Sequence, residues 1–175
     1  MNNSGQADMN SESMNSESAE PRFLADRMLG KLARWLRILG FDTEYADDTR
    51  DVEIARRAAE ESRILLTRDR ELSANRKIRA IYIPGIEIED QLITVMNTLG
   101  VTPHIKTVRC TLCNSTLSVI TPAEASAETG AGIASRHEVF YKCVRCGKIY
   151  WQGSHWDRIF RTVAALGAKC AEDET

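Results

Sequence analysis

The 175-residue chain has few aromatic residues, few prolines and no long apolar segment. Aromatic residues make up 6% of the sequence, there are 4 prolines, and no run approaches the roughly 20 apolar residues that a membrane-spanning helix needs. The N-terminal segment is not a secretory signal, because no basic stretch leads into an apolar one. We therefore expect a soluble, cytoplasmic protein without a membrane partner.

Two nucleotide-binding motifs are also missing from the sequence. No G-x-G-x-x-G follows the first predicted strand, and G-x-x-x-x-G-K-[ST] does not occur anywhere. Their absence counts against a dinucleotide-binding domain and against a P-loop enzyme.

The charge is unevenly distributed around a net value of −2. Residues 1–20 carry four acids and no base, and the last five residues carry three acids, which leaves residues 21–170 with a net charge of +5. The first twenty residues also contain Met-Asn-Ser-Glu-Ser twice, at 9–13 and 14–18, and lack apolar periodicity. We predict a disordered tail there, followed by a mildly basic folded part that permits an anionic partner.

Strand and helix patterns alternate four times between residues 22 and 100. The predicted strands are 22–25, 43–46, 64–67 and 80–83. The predicted helices are one ending at Gly40, one from an Asp51 N-cap to Ser62, one around 71–75 and one at 89–99. This order indicates an α/β fold with a parallel sheet and helices on both of its faces.

The residue pattern changes beyond Pro103, where cysteine pairs and short strand patterns begin. We place the disordered tail at 1–20 and an α/β domain at 21–102. A small cysteine-rich ribbon with a following helix would occupy 103–160, and the helix end and acidic tail would occupy 161–175.

Four of the five cysteines form two C-x₂-C pairs, Cys110 with Cys113 and Cys143 with Cys146. Such a turn points both thiolates at one tetrahedral ion, and Asn114 and Gly147, which follow the pairs, tolerate the left-handed backbone that it often needs. A redox dithiol is the alternative, but clustered cysteines in a reducing compartment more often bind metal. We predict a zinc site that is structural, because four thiolates leave no position for a catalytic water.

Acidic residues follow the predicted strands. Asp26 ends the first strand and Asp69 the third, while Asp47, Asp48 and Asp51 lie between the second strand and its helix. Carboxyl ends of parallel strands share one edge, so these carboxylates would converge there. Converging carboxylates are costly without a cation, and their oxygen ligands suit Mg²⁺ or Mn²⁺. Alternatively, Asp51 is only a helix cap and the other two keep a loop soluble.

A stripe of basic residues runs along the first predicted helix. Arg27, Lys31, Arg34 and Arg37 lie three or four residues apart, and no acid occurs between positions 27 and 39. The simplest interpretation is a solvated face, although solvated faces usually mix charges of both signs. A stripe of one sign also suits the phosphates of a nucleic acid.

Three segments resemble one known family. Residues 23–40 read Phe-Leu-Ala-Asp-Arg-Met-Leu-Gly-Lys-Leu-Ala-Arg-Trp-Leu-Arg-Ile-Leu-Gly and closely resemble the signature of the Mut-seven C-terminal RNase-like domains. Residues 61–69 and 150–156 agree with the same family, and the resemblance extends from about residue 22 to 160. Members of this family are PIN-like domains fused to a zinc ribbon.

The resemblance implies a PIN-like α/β/α nuclease fold and a metal-dependent ribonuclease activity. By motif, Asp26 and Asp69 are active-site carboxylates and Asp51 is the best third candidate, while Asp47 and Asp48 leave the register of the loop open. We therefore expect these three aspartates, Asp26, Asp51 and Asp69, to bind Mg²⁺ or Mn²⁺.

RNA would be the partner of such a protein. Its phosphates would contact Arg27, Lys31 and Arg34, and the ribbon would add Arg145, Lys148 and exposed aromatics such as Tyr150. The alternative function is a catalytically silent RNA-binding or partner-binding module that kept the fold.

Overall fold

A computed structural model describes residues 20–47, 50–106 and 109–172. The predicted disordered tail therefore lies outside the described residues except for Glu20. Asp48 of the acidic loop and the last three residues of the acidic tail also lie outside them.

The first half of the chain forms a four-stranded parallel sheet with strand order β2-β1-β3-β4. The strands are β1 (Arg22–Ala25), β2 (Asp42–Tyr45), β3 (Ile64–Thr67) and β4 (Ala80–Tyr82). The helices are α1 (Gly30–Ile38), preceded by a 3₁₀ turn at Arg27–Leu29, α2 (Asp51–Glu60), α3 (Arg70–Ser73) and α4 (Ile88–Leu99). The predicted α/β fold with a parallel sheet is confirmed.

Successive side chains of β1 point to opposite faces of the sheet and enter two separate cores. Phe23 and Ala25 pack with α1 and α4 on one face, while Leu24 packs with Ile54 and Ala58 of α2 on the other. Each fully buried large apolar side chain contributes roughly 1.5–3 kcal/mol to folding. Both faces are therefore covered by helices, which gives three layers.

Helices α1 and α4 end at the predicted glycines, whereas the start of α2 differs from the prediction. Gly40 (φ +92°) and Gly100 (φ +62°) adopt the left-handed conformation after α1 and α4. The predicted N-cap at Asp51 is wrong, because Arg50 occupies that position and Asp51 is the first residue of α2. An aspartate in the first turn is still favoured by the helix dipole, and its carboxylate is not used for capping.

A second, antiparallel sheet consists of β5 (Leu117–Ile120), β6 (Phe140–Cys143) and β7 (Ile149–Trp151). Between β5 and β6 lie two helices, α5 (Pro122–Thr129) and α6 (Ala131–Ala134), in a segment rich in small residues for which no helix was predicted. The hydroxyl of Thr121 and the carboxylate of Glu124 form a capping box at the start of α5. Ala125 then packs on Phe140 in a small separate core.

The last helix, α7 (Trp156–Glu172), returns to the first sheet. Val163 and Leu166 are buried in the same core as α1 and α4, and Lys169 Nζ lies 3.1 Å from Glu89 Oε2 on α4. The chain therefore closes the core of the parallel sheet after it has formed the ribbon. No helix among the described residues is both long and apolar enough to cross a membrane.

Candidate active site and zinc centre

A cavity of about 480 Å³ lies at the carboxyl edge of the parallel sheet. Three acids and three arginines line it, Asp26, Asp51, Asp69, Arg27, Arg50 and Arg68. Asp26 and Asp69 meet here because β1 and β3 are hydrogen-bonded neighbours that end side by side. Asp51 joins them from the start of α2, whereas Asp47 is exposed and does not line the cavity.

The carboxylate of Asp26 is buried and held by three donors. Its Oδ1 accepts from the backbone N–H of Met28 at 2.9 Å. Its Oδ2 accepts from the Thr67 hydroxyl at 2.6 Å and from the backbone N–H of Arg68 at 3.1 Å. A carboxylate offers about four acceptor positions, so about one remains for a ligand in the cavity.

Thr67 was not singled out by the sequence analysis, yet it joins two of the predicted site residues. Its buried hydroxyl donates to Asp26 and accepts the backbone N–H of Asp69 at 3.0 Å. The available signal was a hydroxyl residue at the end of an otherwise apolar buried strand, where an aliphatic side chain would be expected. Arg50 and Arg68 were also missed, since neither belongs to the basic stripe on the first helix.

Asp51 and Asp69 are exposed at the mouth of the cavity. Asp69 Oδ1 accepts from the backbone N–H of Leu72 at 2.9 Å and caps α3, while Asp51 makes no hydrogen bond or ion pair within the described part of the chain. Among the described residues, Asp26, Asp51 and Asp69 do not form a compact group of possible metal ligands as the four cysteines do. The set fits Mg²⁺ nonetheless, because Mg²⁺ usually keeps several waters and binds only one or two carboxylates directly.

The basic stripe on α1 is shorter than predicted. Arg27, Lys31 and Arg34 are exposed, but Arg37 is only 5% exposed. Its Nε donates to the Thr43 carbonyl at 2.8 Å, and an Nη donates to the carbonyls of Thr111 and Leu112, both at 3.0 Å. Arg37 is therefore not free for a phosphate, and burial lowers its pKa from the ordinary value. The stripe ends at Arg34.

The four predicted zinc ligands come together. The Sγ atoms of Cys110, Cys113, Cys143 and Cys146 all lie within 4.8 Å of one another. The Sγ–Sγ distances are 3.6 Å between Cys110 and Cys146 and 3.4 Å between Cys113 and Cys143. A tetrahedral zinc with Zn–S bonds of about 2.3 Å requires sulfurs about 3.8 Å apart, so the set fits a structural zinc ion.

The two cysteine turns have the same backbone geometry. The N–H of Asn114 donates to the Cys110 carbonyl, and the N–H of Gly147 donates to the Cys143 carbonyl, both at 3.0 Å. Asn114 has φ +64° and Gly147 has φ +75°, which confirms the predicted left-handed residues after the pairs. Among the described residues, no other group of three or more metal-ligating side chains is this compact.

Tyr150 contacts the cysteine cluster and is half-buried, so the expectation of an exposed aromatic residue was wrong. Its hydroxyl lies 3.0 Å from Cys110 Sγ and 3.3 Å from Thr111 Oγ1. Burial and the neighbouring Cys110 raise the pKa of the Tyr150 hydroxyl above its ordinary value. Burial raises the pKa of Cys110, but hydrogen bonds from Tyr150 and the backbone outweigh it and lower that pKa to about 6. Arg145 and Lys148 are exposed, as expected.

The first cysteine turn is attached to the edge of the parallel sheet through Asn114. This buried side chain accepts the backbone N–H of Thr43 with its Oδ1 at 3.0 Å. Its Nδ2 donates to Asp42 Oδ1 at 2.8 Å and to Glu44 Oε1 at 3.0 Å. Asn114 and Arg37 therefore attach the first cysteine turn to strand β2 by hydrogen bonds.

The fold and the site define an α/β/α protein with a carboxylate-lined cavity at the edge of its parallel sheet and a four-cysteine metal centre beside it. The family model described as the Mut7-C RNAse domain matches residues 21–163, which is most of the chain, and the protein belongs to this family. The resemblance seen in the sequence is thereby confirmed. No curated protein and no solved structure matched the chain.

Proposed function

We propose that the protein is a metal-dependent ribonuclease that hydrolyses RNA phosphodiester bonds. The observation that carries the proposal is the cavity in which Asp26, Asp51 and Asp69 lie together, surrounded by arginines. Membership of an RNase family supports RNA as the substrate. The acids suit a divalent cation and the arginines suit phosphate oxygens, so one cavity offers both groups that the reaction needs.

Asp26, Asp51 and Asp69 would hold one or two Mg²⁺ or Mn²⁺ ions. When bound, these ions would supply Lewis-acid chemistry, which is the activation of water and the stabilisation of charge on the phosphate. Asp26 is suited to fixing such an ion, because its three donors hold its carboxylate in one orientation. The exposed carboxylates of Asp51 and Asp69 would complete the site directly or through water.

The basic residues would place the RNA. Arg27, Arg50 and Arg68 line the cavity, and their guanidinium groups can bind the phosphate at which the P–O bond breaks. Lys31 and Arg34 would bind neighbouring phosphates along α1. The four thiolates would fill the coordination of their zinc ion, so the ribbon would stabilise and extend the structure without taking part in hydrolysis.

Cleavage of end-labelled single-stranded and structured RNA with Mn²⁺ or Mg²⁺ tests this proposal. We expect the wild type to cut, and Asp26→Asn and Asp69→Asn to lose about a hundredfold or more of that activity, since metal sites lose 10- to 100-fold even on mutation of groups behind the ligands. Asp47→Asn is the matched control, because Asp47 is an exposed strand-end aspartate outside the cavity. A wild type that cuts no RNA, or variants that cut equally well, would refute the proposal.

The alternative function is a catalytically silent RNA-binding or partner-binding module. One observation favours it, namely that among the described residues the three aspartates do not form a compact group of possible metal ligands. Calorimetric titration with Mn²⁺ separates the two functions. The nuclease requires binding that Asp26→Asn abolishes and Asp47→Asn keeps, whereas a silent module would bind no Mn²⁺ at this edge.

A further inference from the structure

A second, smaller cavity lies farther along α1 and is completed by the zinc ribbon. Its volume is about 140 Å³, and it is lined by Gly30, Arg34, Arg37, Tyr45 and Leu112. Leu112 lies between the first two cysteines and is 54% exposed. One side of this cavity therefore belongs to the α/β domain and the other to the first cysteine turn.

Tyr45 connects the small cavity to the candidate active site. Its ring packs on Gly30 so closely that a Cβ atom there would lie 3.2 Å from the ring. Its hydroxyl donates to the backbone carbonyl of Arg27 at 2.9 Å, and Arg27 lines the larger cavity. Arg27 lines the larger cavity and Gly30, three residues later, lines the smaller one, so the two cavities lie close to each other at the start of α1.

The position of Leu112 is fixed although its side chain is exposed. Arg37 donates to the carbonyls of both Thr111 and Leu112, and Asn114 anchors the same turn to β2. An apolar group on a rigid support loses little conformational entropy when a ligand covers it. Leu112 therefore offers a preformed apolar surface in the cavity that Tyr45 also lines.

Arg34 supplies the available charge of the cavity, because the guanidinium of Arg37 is already bonded to backbone carbonyls. Arg34 is exposed and has no ion-pair or hydrogen-bond partner in the part of the chain that the structure describes. An available guanidinium beside an aromatic ring and an aliphatic side chain matches one nucleotide, with its phosphate on the cation and its base on the apolar groups.

We infer that this cavity binds a nucleotide of the RNA strand next to the one being cleaved. This inference rests on the proposed function. Arg34 contacts the phosphate, and Leu112 and Tyr45 contact the base. The ribbon thus meets RNA through Leu112 of its first cysteine turn.

The test measures RNA binding by the full-length, zinc-loaded Asp69→Asn protein, so that binding is followed without cleavage. Fluorescence anisotropy with a labelled single-stranded octanucleotide is repeated at several salt concentrations. We expect Arg34→Ala to weaken binding about tenfold, which corresponds to one hydrogen bond to a charged group. It should also reduce the slope of log K against log salt by about 0.7, because one phosphate contact to a single strand is lost. Leu112→Ala should weaken binding several-fold and leave that slope unchanged.

Two exposed residues outside the cavity supply matched controls. Arg158→Ala removes an exposed arginine of α7, and Val144→Ala truncates an aliphatic side chain that is 63% exposed. Both should bind RNA within about twofold of the parent. Equal losses in the control and test variants, unchanged binding in Arg34→Ala and Leu112→Ala, or no RNA binding by the parent would each overturn the inference.

The outcomes also separate this inference from the proposed function. If the wild type cleaves no RNA while Arg34→Ala and Leu112→Ala still lose affinity, the nucleotide site is supported and the nuclease is rejected. If the wild type cleaves RNA while both variants bind like the parent, the nuclease is supported and the nucleotide site is rejected.

Discussion

The hydroxyl of Thr67 donates a 2.6 Å hydrogen bond to Oδ2 of Asp26, and both residues are buried. The same hydroxyl accepts the backbone N–H of Asp69 at 3.0 Å. The hydroxyl oxygen of Thr67 thus bridges the carboxylate of Asp26, after β1, and the backbone of Asp69, after β3. The spacing of the two acids depends on this bridge as well as on the pairing of the strands.

Replacing Thr67 by valine should test the bridge. Thr67→Val keeps the shape of the side chain but leaves Asp26 with one donor fewer and the N–H of Asp69 without its acceptor. We expect a loss of about 1–3 kcal/mol in the free energy of unfolding, and at least a tenfold loss of the proposed cleavage. Thr67→Ser is the control that retains the hydroxyl and should recover most of both quantities. Urea unfolding and RNA cleavage measure them, and wild-type activity in Thr67→Val would show that the bridge does not position the acids.

Asn114 combines a left-handed backbone with a docking side chain, and a glycine separates the two roles. Asn114→Gly tolerates φ +64° but removes the side-chain contacts to Thr43, Asp42 and Glu44. We expect it to lose about 1–3 kcal/mol in the free energy of unfolding, because the buried N–H of Thr43 loses its acceptor.

The second turn offers the reciprocal control. Gly147 occupies the position equivalent to Asn114, with φ +75°, and makes no such contact to the parallel sheet in the described residues. Gly147→Asn should therefore lower the stability only by the small cost of an asparagine in the left-handed region, less than about 1 kcal/mol. Equal effects of the two substitutions on urea unfolding would mean that backbone conformation, and not docking, determines the stability of this junction.

Removal of zinc should destabilise the parallel sheet as well as the ribbon. Without metal the first cysteine turn is no longer held in place, and the buried Arg37 loses its hydrogen bonds to the carbonyls of Thr111 and Leu112. We expect Cys113→Ser to lose the single bound zinc, to lower the melting temperature and to speed hydrogen exchange of the Thr43 amide. Cys170→Ser should keep the zinc, since Cys170 packs against the distant α/β core. Loss of zinc with unchanged exchange at Thr43 would contradict the coupling.

The parts of the fold that could be predicted from the sequence are those with local signals. The period of apolar residues and the glycines at 40 and 100 marked α1 and α4, and the cysteine spacing marked the metal centre. The helix α5 also had a local signal, which is the capping box of Thr121 and Glu124 with Pro122 at the first helical position. The helix was not predicted, because the segment is rich in small residues and lacks a clear apolar period.

The remaining features depend on contacts between distant residues. The spacing of Arg37 places it in the basic stripe. It is buried because it donates hydrogen bonds to the carbonyls of Thr111 and Leu112, which lie more than seventy residues later in the sequence. The sequence likewise indicates that Tyr150 is available to bind RNA, but its hydroxyl contacts Cys110, which is forty residues away in the sequence. Helical or strand periodicity states which side of an element a residue occupies but not what will cover that side.

The packing of α7 on the first core leads to a last prediction. Leu166 is 1% exposed and lies in the core with α1 and α4, although it follows the ribbon in sequence. Leu166→Ala should cost about 2–5 kcal/mol in the free energy of unfolding and reduce RNA cleavage at 37 °C through unfolding of the α/β domain. Leu112→Ala removes the same atoms from a leucine that is 54% exposed and should change stability by less than about 0.5 kcal/mol. If instead Leu166→Ala leaves the unfolding of the parallel sheet unchanged, α7 stabilises the ribbon alone, and a fragment that ends before Trp156 should fold and cut RNA.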